Sequence, residues 1–256
     1  MSTRSPLPRP IEFRLKAAAH WLGAALLAWA ALWSVAVAPA HAGGLKVQPV
    51  RLELRPERAS GLLTISNPSN EPMLVQAEAF AWRQVNGEDV LEPAPGVLLN
   101  PPIFELPPGG RQLVRVGFRS ATPAAGESAW RIWLSQVPEG APRPEMGEEL
   151  PQGVRMLFRV SLPLFVTPPG AARAAPEWRL EQGELTLANR GARHLQLHDL
   201  VFRRDDGARL AQDMRYVLPG ATARWSLPPD WRGRALTVEA GSNVGAIRQR
   251  VEAATR

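Results

Sequence analysis

The sequence has no cysteine and only four histidines among its 256 residues. Without cysteine there are no disulfides, no thiol redox chemistry and no cysteine-based zinc sites, so the fold must be stabilised by its apolar cores alone. The few histidines, together with the lack of any G-x-S-x-G, phosphate-loop or calcium-loop pattern, argue against a hydrolase or a metalloenzyme. We therefore predict a protein that is not an enzyme and that uses no cofactor or metal.

Two of the histidines, His194 and His198, stand four residues apart in HLQLH. That spacing can bind a metal ion on a helix. Here Leu195 and Leu197 alternate with the histidines, and strict alternation predicts a strand. We interpret both histidines as solvent-facing residues rather than as ligands.

The charge of the chain limits its possible partners. The formal net charge is +6, but the acidic residues are spread along the chain and the arginines are scattered among the predicted strands. No basic tract with interleaved aromatic residues occurs, so we expect no nucleic-acid binding.

The first 42 residues combine a basic start, a long apolar stretch and the small-residue sequence AHA at positions 40–42. This order is typical of a secretory signal peptide that is cleaved on export. An uncleaved transmembrane anchor is the alternative, because the apolar stretch approaches the length of a membrane span. The small residues and the lack of a basic stop after them favour cleavage after Ala42, which would leave no stably inserted segment.

Beyond the leader, segments of alternating apolar residues recur about every ten residues between Pro, Gly and Asn turns. Examples are LKVQPVRLEL, GLLTISN and MLVQAEAFAWRQ. This rhythm predicts an all-β fold of antiparallel sandwiches. It restarts after VTPPGAARAAPEW, which we interpret as a hinge. We predict two immunoglobulin-like β-sandwich domains, at residues 43–166 and 167–256.

The segment VRMLFRVSLPLFV, residues 154–166, predicts an unusually long strand. Successive side chains of a strand point to opposite faces, so its apolar even positions form one continuous row. The row either fills the core of its own sandwich or is offered to a partner. A loop rich in Pro, Gly and acidic residues precedes it at positions 137–153, and ordering of this loop would lengthen the strand on binding. The even positions are Val154, Met156, Phe158, Val160, Leu162, Leu164 and Val166.

The order of motifs resembles that of the periplasmic pilus chaperones of the chaperone–usher pathway, and most closely that of the archaic, spore-coat-U-like branch. After the signal peptide come V-x-P-V-R-L-x-L, L-T-I-S-N-P, P-P-x-F-x-L-P-P-G-x-R-Q-L-V-R-V and an alternating strand ending S-L-P-L-F-V. The match is strong over residues 45–166 and looser afterwards. The resemblance implies two immunoglobulin-like domains set in an L, a periplasmic location, and pilus subunits and an outer-membrane usher as partners.

The resemblance also implies a role for the long strand. In this family the last strand of the first domain is donated to a subunit whose own sandwich lacks one strand, by β-strand addition. The donated side chains would here be Val154, Met156, Phe158, Val160, Leu162 and Leu164.

Related chaperones hold the C-terminal carboxylate of the subunit with cationic side chains of the cleft, an arginine of the first strand and a lysine of the donor strand. Arg51 in PVRLEL matches the arginine, but Ser161-Leu162-Pro163 stands where the lysine is expected. The resemblance therefore leaves Arg115, Arg131 and Arg159 as possible substitutes, because a guanidinium fork suits a carboxylate. In QLVRVGF, Arg115 alternates with Val114 and Val116, so a surface arginine is the alternative at that position.

Two other interpretations remain open. A secreted structural or adhesive immunoglobulin-like protein, such as a pilus subunit, would have one incomplete sandwich, whereas this sequence predicts two complete ones. A carbohydrate-binding or hydrolytic sandwich is suggested by nine tryptophans, but Trp21, Trp29 and Trp33 lie in the leader. We expect a non-enzymatic periplasmic chaperone that binds and folds pilus subunits and delivers them to an usher.

Overall fold

The computed structural model describes residues 44–120, 126–138 and 156–254. The predicted signal peptide, nearly all of the predicted loop at 137–153 and Val154 lie outside the described residues. Within these ranges the chain forms strands and one short turn of 3-10 helix, Pro229–Trp231. No helix in them is long and apolar enough to span a bilayer.

The first sandwich consists of two sheets that face each other across an apolar core. Its strands are β1 (Lys46–Gln48), β2 (Leu52–Leu54), β3 (Ser60–Ser66), β4 (Met73–Val85), β5 (Glu88–Pro93), β6 (Val97–Asn100), β7 (Ile103–Leu106), β8 (Arg111–Phe118), β9 (Ser128–Val137) and β10 (Arg159–Val166). One sheet has the order β1–β3–β8–β6, and the other has the order β2–β10–β9–β4–β5 with β7 also paired to β4. The pairing of β10 with β2 is parallel, and β10 pairs with β9 in the antiparallel sense.

The period-two pattern of the sequence decides which side of each strand becomes core. In β9, Trp130, Ile132 and Leu134 are buried between the sheets, whereas Arg131 and Trp133 lie on the outer face. Burying one such apolar side chain stabilises the fold by about 1.5–3 kcal/mol. The alternation therefore gives the strand both its inner and its outer face.

The second sandwich repeats this design with a core of its own. Its strands are β11 (Pro176–Glu181), β12 (Glu184–Asn189), β13 (Leu195–Arg203), β14 (Arg209–Gln212), β15 (Arg215–Val217), β16 (Thr222–Ser226), β17 (Leu236–Ser242) and β18 (Ile247–Val251). The sheets have the orders β11–β12–β16 and β14–β13–β17–β18, with β15 also paired to β13. Leu187, Leu197 and Phe202 are fully buried in this core. The prediction of an all-β protein with two β-sandwiches is confirmed.

A small aromatic cluster joins the two sandwiches. Trp82 and Phe165 come from the first sandwich, and Tyr216 and Leu218 come from the second. The rings of Trp82 and Tyr216 meet edge to face with centroids 5.5 Å apart, a favoured geometry for aromatic pairs. The sandwiches therefore share a buried apolar contact in addition to the connecting chain.

Candidate functional site

β10 has one edge that is only partly covered. It pairs with β9 along its whole length, but it pairs with β2 only at residues 164–166. Among the described residues, no strand covers the same edge at residues 159–163. We call residues 159–163 on this side the open edge.

Hydrogen bonds at the two ends of β10 show which backbone groups the open edge presents. Beyond its C-terminal end, the Thr167 N–H donates to the carbonyl of Leu54 on the side of β2 (2.9 Å). The Phe158 carbonyl accepts from the N–H of Gln136 (2.8 Å). Because bonding groups alternate between the two neighbours of a strand, the even residues of β10 bond to β9 and the odd residues face the open edge. The open edge thus presents the amide and carbonyl of Arg159 and Ser161, whereas Pro163 is buried and its carbonyl faces Leu52 at the start of β2. Proline has no N–H to leave unpaired, which suits it to an edge.

The apolar row of β10 is divided between two environments. Leu162, Leu164 and Val166 are buried in the core of the first sandwich. Val160 packs against the border of that core, whereas Met156 is 71% exposed. The interpretation of a single row is therefore wrong for the free protein.

Two corrections to the sequence prediction follow. Among the described residues the strand spans Arg159–Val166, and residues 156–158 of the predicted strand lie outside it. Leu162 and Leu164 are not available to a partner, because they already fill the gap between the two sheets of their own sandwich. Of the described even positions, only Met156, Phe158 and Val160 lie at or beyond the end of that core.

Arg51 stands where the open edge ends. Leu52 is opposite Leu164 in the parallel register, so Arg51, one residue earlier, is next to Pro163. Its Nη1 donates to Oε1 of Gln196 in the second sandwich (2.6 Å), and its Nε lies 2.8 Å from a carboxylate oxygen of Glu53. The side chain is 34% exposed and is held by both sandwiches.

Arg131 lies on the outer face of β9, opposite Pro163 on β10. Its guanidinium carbon is 3.7 Å from the centroid of the Trp82 ring and 5.4 Å from that of Tyr216. Burial lowers the pKa of Arg131, and the charges of Asp89 and Tyr216 offset part of this effect. With its side chain 16% exposed, Arg131 is part of the junction between the sandwiches.

The other two predicted anchors lie apart from Arg51. Arg159 is exposed at the start of β10, where its guanidinium carbon is 4.8 Å from the Trp133 ring centroid and its Nε donates to Ser135 (3.1 Å). Arg115 is exposed on the outer face of the opposite sheet, in β8. The structure does not bring the four arginines together, and the position of Arg115 fits the surface arginine that the alternation of its strand left open.

The sequence interpretation missed a buried polar contact between the sandwiches. His194 Nδ1 and the His194 backbone N–H both lie 2.7 Å from Oε1 of Glu127, and the Thr167 hydroxyl donates to Oε2 of Glu127 (2.7 Å). The His194 side chain is 5% exposed, so the prediction that it faces solvent is wrong, whereas His198 is half exposed as predicted. The only sequence signal for this contact is an acidic residue, Glu127, directly before β9.

Opposing effects act on the carboxyl of Glu127. Burial raises its pKa, but hydrogen bonds from His194, the charge of His194 and the hydrogen bond from Thr167 lower it by more. The pKa of Glu127 therefore lies below its ordinary value. The carboxylate stays ionised while it connects the two sandwiches.

A cavity of about 770 Å³ opens beside Arg51 at this junction. Its charged and polar walls include Arg51, Arg55, Glu127, Arg173, Arg193 and His194. Within the described ranges, no group of three or more metal-ligating side chains could hold a metal ion. The chemistry of the cavity is that of an anion site, since its cations outnumber its acids.

The structure combines two sandwiches, a junction with a cationic cavity, and an open strand edge beside that cavity. These are features of a protein that binds an extended segment of another chain. The family model described as "Pili and flagellar-assembly chaperone, PapD N-terminal domain" matches residues 44–172. The chain therefore belongs to the family of pili and flagellar-assembly chaperones. This confirms the family predicted from the order of sequence motifs, together with its non-enzymatic, periplasmic character, and it sets aside the adhesive and hydrolytic alternatives.

Individual relatives agree with this assignment. The chain is 26% identical over 210 residues to the chaperone protein AfaB of Escherichia coli, a match that covers 74% of this chain and 78% of AfaB. In fold it is similar to the chaperone–tip subunit complex CsuC–CsuE of the archaic Csu pili of Acinetobacter baumannii (TM-score 0.63, 18% identity, 83% of this chain and 100% of the other). It is also similar to the Salmonella enterica SafB chaperone complex with the SafA pilin (TM-score 0.58, 19% identity, 81% and 94%).

Proposed function

We propose that this chaperone binds pilus subunits in the periplasm by strand addition at the open edge of β10 and then delivers them to an outer-membrane usher. The observation that carries the proposal is the uncovered edge at residues 159–163, next to the covered part at 164–166. The SafB and CsuC structures contain a pilin and a tip subunit, respectively, bound to those chaperones. We also propose that the leader, residues 1–42, is removed on export.

The position of β2 suggests the direction of the added strand. β2 runs parallel to β10 and begins opposite residue 164. A subunit strand placed in line with β2, along residues 159–163, would end beside Arg51 if it also ran parallel to β10. Its C-terminal carboxylate would then meet a guanidinium, which is the charge-assisted pairing that the family resemblance implies. Of the four proposed anchors, Arg51 is the one that this geometry supports.

The side chains offered to the subunit are fewer than the sequence suggested. Met156, Phe158 and Val160 continue the apolar row beyond the core of the first sandwich, and Val154 would continue it further. Each side chain that becomes fully buried in a subunit would contribute up to about 1.5–3 kcal/mol before ordering costs. Each new backbone hydrogen bond would add about 0.5–1.5 kcal/mol.

Co-purification of a pilus subunit with the chaperone from the periplasm tests the proposal. Phe158→Asp would place a charge in the subunit core, so we expect it to abolish complex formation. Ser161→Asp changes the opposite, exposed face and should retain far more subunit. Both variants should unfold within about 0.5 kcal/mol of the unchanged protein, because neither residue lies in its own core. Equal subunit recovery with Phe158→Asp and Ser161→Asp would rule out donation by the even row.

A further inference from the structure

We infer that Gln84, near the tip of the β4–β5 hairpin, is a positioning residue that fixes the orientation of the second sandwich relative to the first. The inference goes beyond strand addition, because it concerns the free chaperone and needs no subunit. The hairpin belongs to the first sandwich, but the side-chain amide of Gln84 bonds to the backbone of the second. This amide therefore connects two separately packed cores.

The amide of Gln84 bonds to β15 as the backbone of a neighbouring strand would. Its Nε2 donates to the carbonyl of Tyr216 (3.0 Å), and its Oε1 accepts from the N–H of Leu218 (2.9 Å). A residue of a parallel strand pairs in the same way, with the carbonyl and the N–H on either side of one residue of its neighbour. Because β15 pairs with β13 on its other edge, Gln84 adds a rung to this sheet from the opposite sandwich.

A third hydrogen bond fixes the orientation of the amide. Gln84 Nε2 also donates to Oδ1 of Asp89 (2.8 Å), the residue opposite Gln84 in the β4–β5 pairing. Both hydrogens of the amide nitrogen are thus used. A carboxylate at position 84 could not take its place, because it would have no hydrogen to donate and would face the Tyr216 carbonyl and the Asp89 carboxylate.

The turn of the hairpin is shaped to lie against the second sandwich. Asn86 and Gly87 have φ values of 54° and 89°, which are typical of a type I′ turn between two strands. The carbonyl of Gly87 accepts from Nη2 of Arg215 (2.6 Å), at the start of β15. A Cβ at position 87 would be strained by this φ and would lie 3.4 Å from the carbonyl oxygen of Thr222, at the start of β16. Glycine therefore lets the tip approach β16 closely.

The contact leads to Arg51 through one pair of strands. Tyr216 is opposite Gln196 in the β15–β13 register, and Gln196 holds Nη1 of Arg51 at 2.6 Å. The backbone that Gln84 binds and the side chain that holds Arg51 thus belong to neighbouring residues of one sheet. The orientation that Gln84 fixes is therefore the one in which Arg51 is held at the end of the open edge.

The test measures the arrangement of the two sandwiches with a pair of spin labels. The chain has no cysteine, so Glu105→Cys and Gln249→Cys provide two unique labelling sites, one at an exposed strand position of each sandwich. Double electron–electron resonance gives the distribution of distances between the labels. It is recorded for the labelled protein alone, with Gln84→Glu and with Arg83→Ala. Arg83 is the matched control, because it is an exposed neighbour in the same hairpin whose ion pair is with Glu92 of β5.

We expect one narrow distribution for the labelled protein and for Arg83→Ala. A label about 30 Å from the junction moves by about 5 Å when its sandwich rotates by about 10°, so Gln84→Glu should shift or broaden the distribution by about 5 Å. Circular dichroism should show an unchanged content of β-structure. Gln84→Ala, which removes the amide without adding a charge, should change the distribution in the same way.

A distribution that stays narrow and unshifted in both Gln84 variants would overturn the inference. An equal change with Arg83→Ala, or a broad distribution in the labelled protein itself, would overturn it as well. None of these results involves subunit recovery, so the failure of this inference would leave strand addition intact.

Discussion

The imidazole of His194 lies flat on the phenyl ring of Phe165, with the ring centroids 3.7 Å apart and the planes 7° from parallel. Phe165 belongs to β10, two residues beyond the open edge, and His194 belongs to the second sandwich. The second sandwich thus contacts the strand that carries the open edge. The stability of this junction should influence how that edge is presented.

Removing the imidazole tests the strength of the junction. His194→Ala takes away the stacking on Phe165 and one hydrogen bond to the buried carboxylate of Glu127, so we expect a loss of about 3 kcal/mol of unfolding free energy. His198→Ala is the matched control, because His198 is half exposed and should change stability by no more than about 0.5 kcal/mol. Urea unfolding of both variants gives the comparison. Similar losses in the two variants would contradict the assigned role of His194.

The buried carboxylate predicts a pH dependence with a definite sign. Because the pKa of Glu127 is lower in the folded protein than its ordinary value, its contribution to stability is present above about pH 4.3 and is lost as the pH falls through the folded-state pKa. The stability difference between the unchanged protein and Glu127→Gln should therefore be largest near neutral pH and shrink in acid. Urea unfolding from pH 7 to pH 3 measures this difference. A difference that grows in acid would show that the sign is wrong.

The division of the apolar row predicts unequal effects within one strand. Leu164 is 0% exposed, so Leu164→Ala should cost about 2–5 kcal/mol through lost burial and the cavity left behind. Met156→Ala should leave the stability of the free protein within about 0.5 kcal/mol, because Met156 is exposed. Denaturant unfolding of the two variants checks the prediction. A small effect of Leu164→Ala would return this position to the donor row.

Arg131 should act on stability through its stacking rather than through subunit binding. Arg131→Lys keeps the positive charge but loses the planar group that lies over Trp82, and we expect a loss of about 1–2 kcal/mol. Arg115→Lys, on the exposed outer face of β8, should change stability by less than about 0.5 kcal/mol. Tryptophan fluorescence during urea unfolding follows both. If Arg131→Lys were as stable as the unchanged protein but failed to bind subunits, Arg131 would be an anchor after all.

The fold could be predicted from the sequence because its main signal is local. Alternation of apolar residues and the spacing of turns indicate strands whatever they pair with, and they were enough to predict two sandwiches. Alternation also showed that Arg115 points away from Val114 and Val116, which are both buried. What it could not show is which core receives the apolar side of a given strand. Leu162 and Phe158 both occupy even positions and belong to the same apolar row. Their environments differ because the core of the first sandwich ends between them, at Val160.

The site was harder to predict because its contacts join distant parts of the chain. Arg51 and Gln196 are 145 positions apart, and Glu127 and His194 are 67 apart. The periodicity of residues within a strand does not indicate contacts between side chains so far apart in the sequence. His194 was interpreted as solvent-facing because its neighbours predicted a strand, and the strand was correct. The missing information was that the first sandwich covers that side of it.

The end of the first sandwich's core at Val160 has an evolutionary consequence. Residues on its C-terminal side are constrained by the folding of the chaperone itself, whereas Met156 and Phe158 contribute little to that folding. Changes at these two positions can therefore alter the range of accepted clients without a penalty in the protein's own solubility or lifetime. Among homologues that serve different pili, we expect residues 156 and 158 to diverge faster than residues 162 and 164.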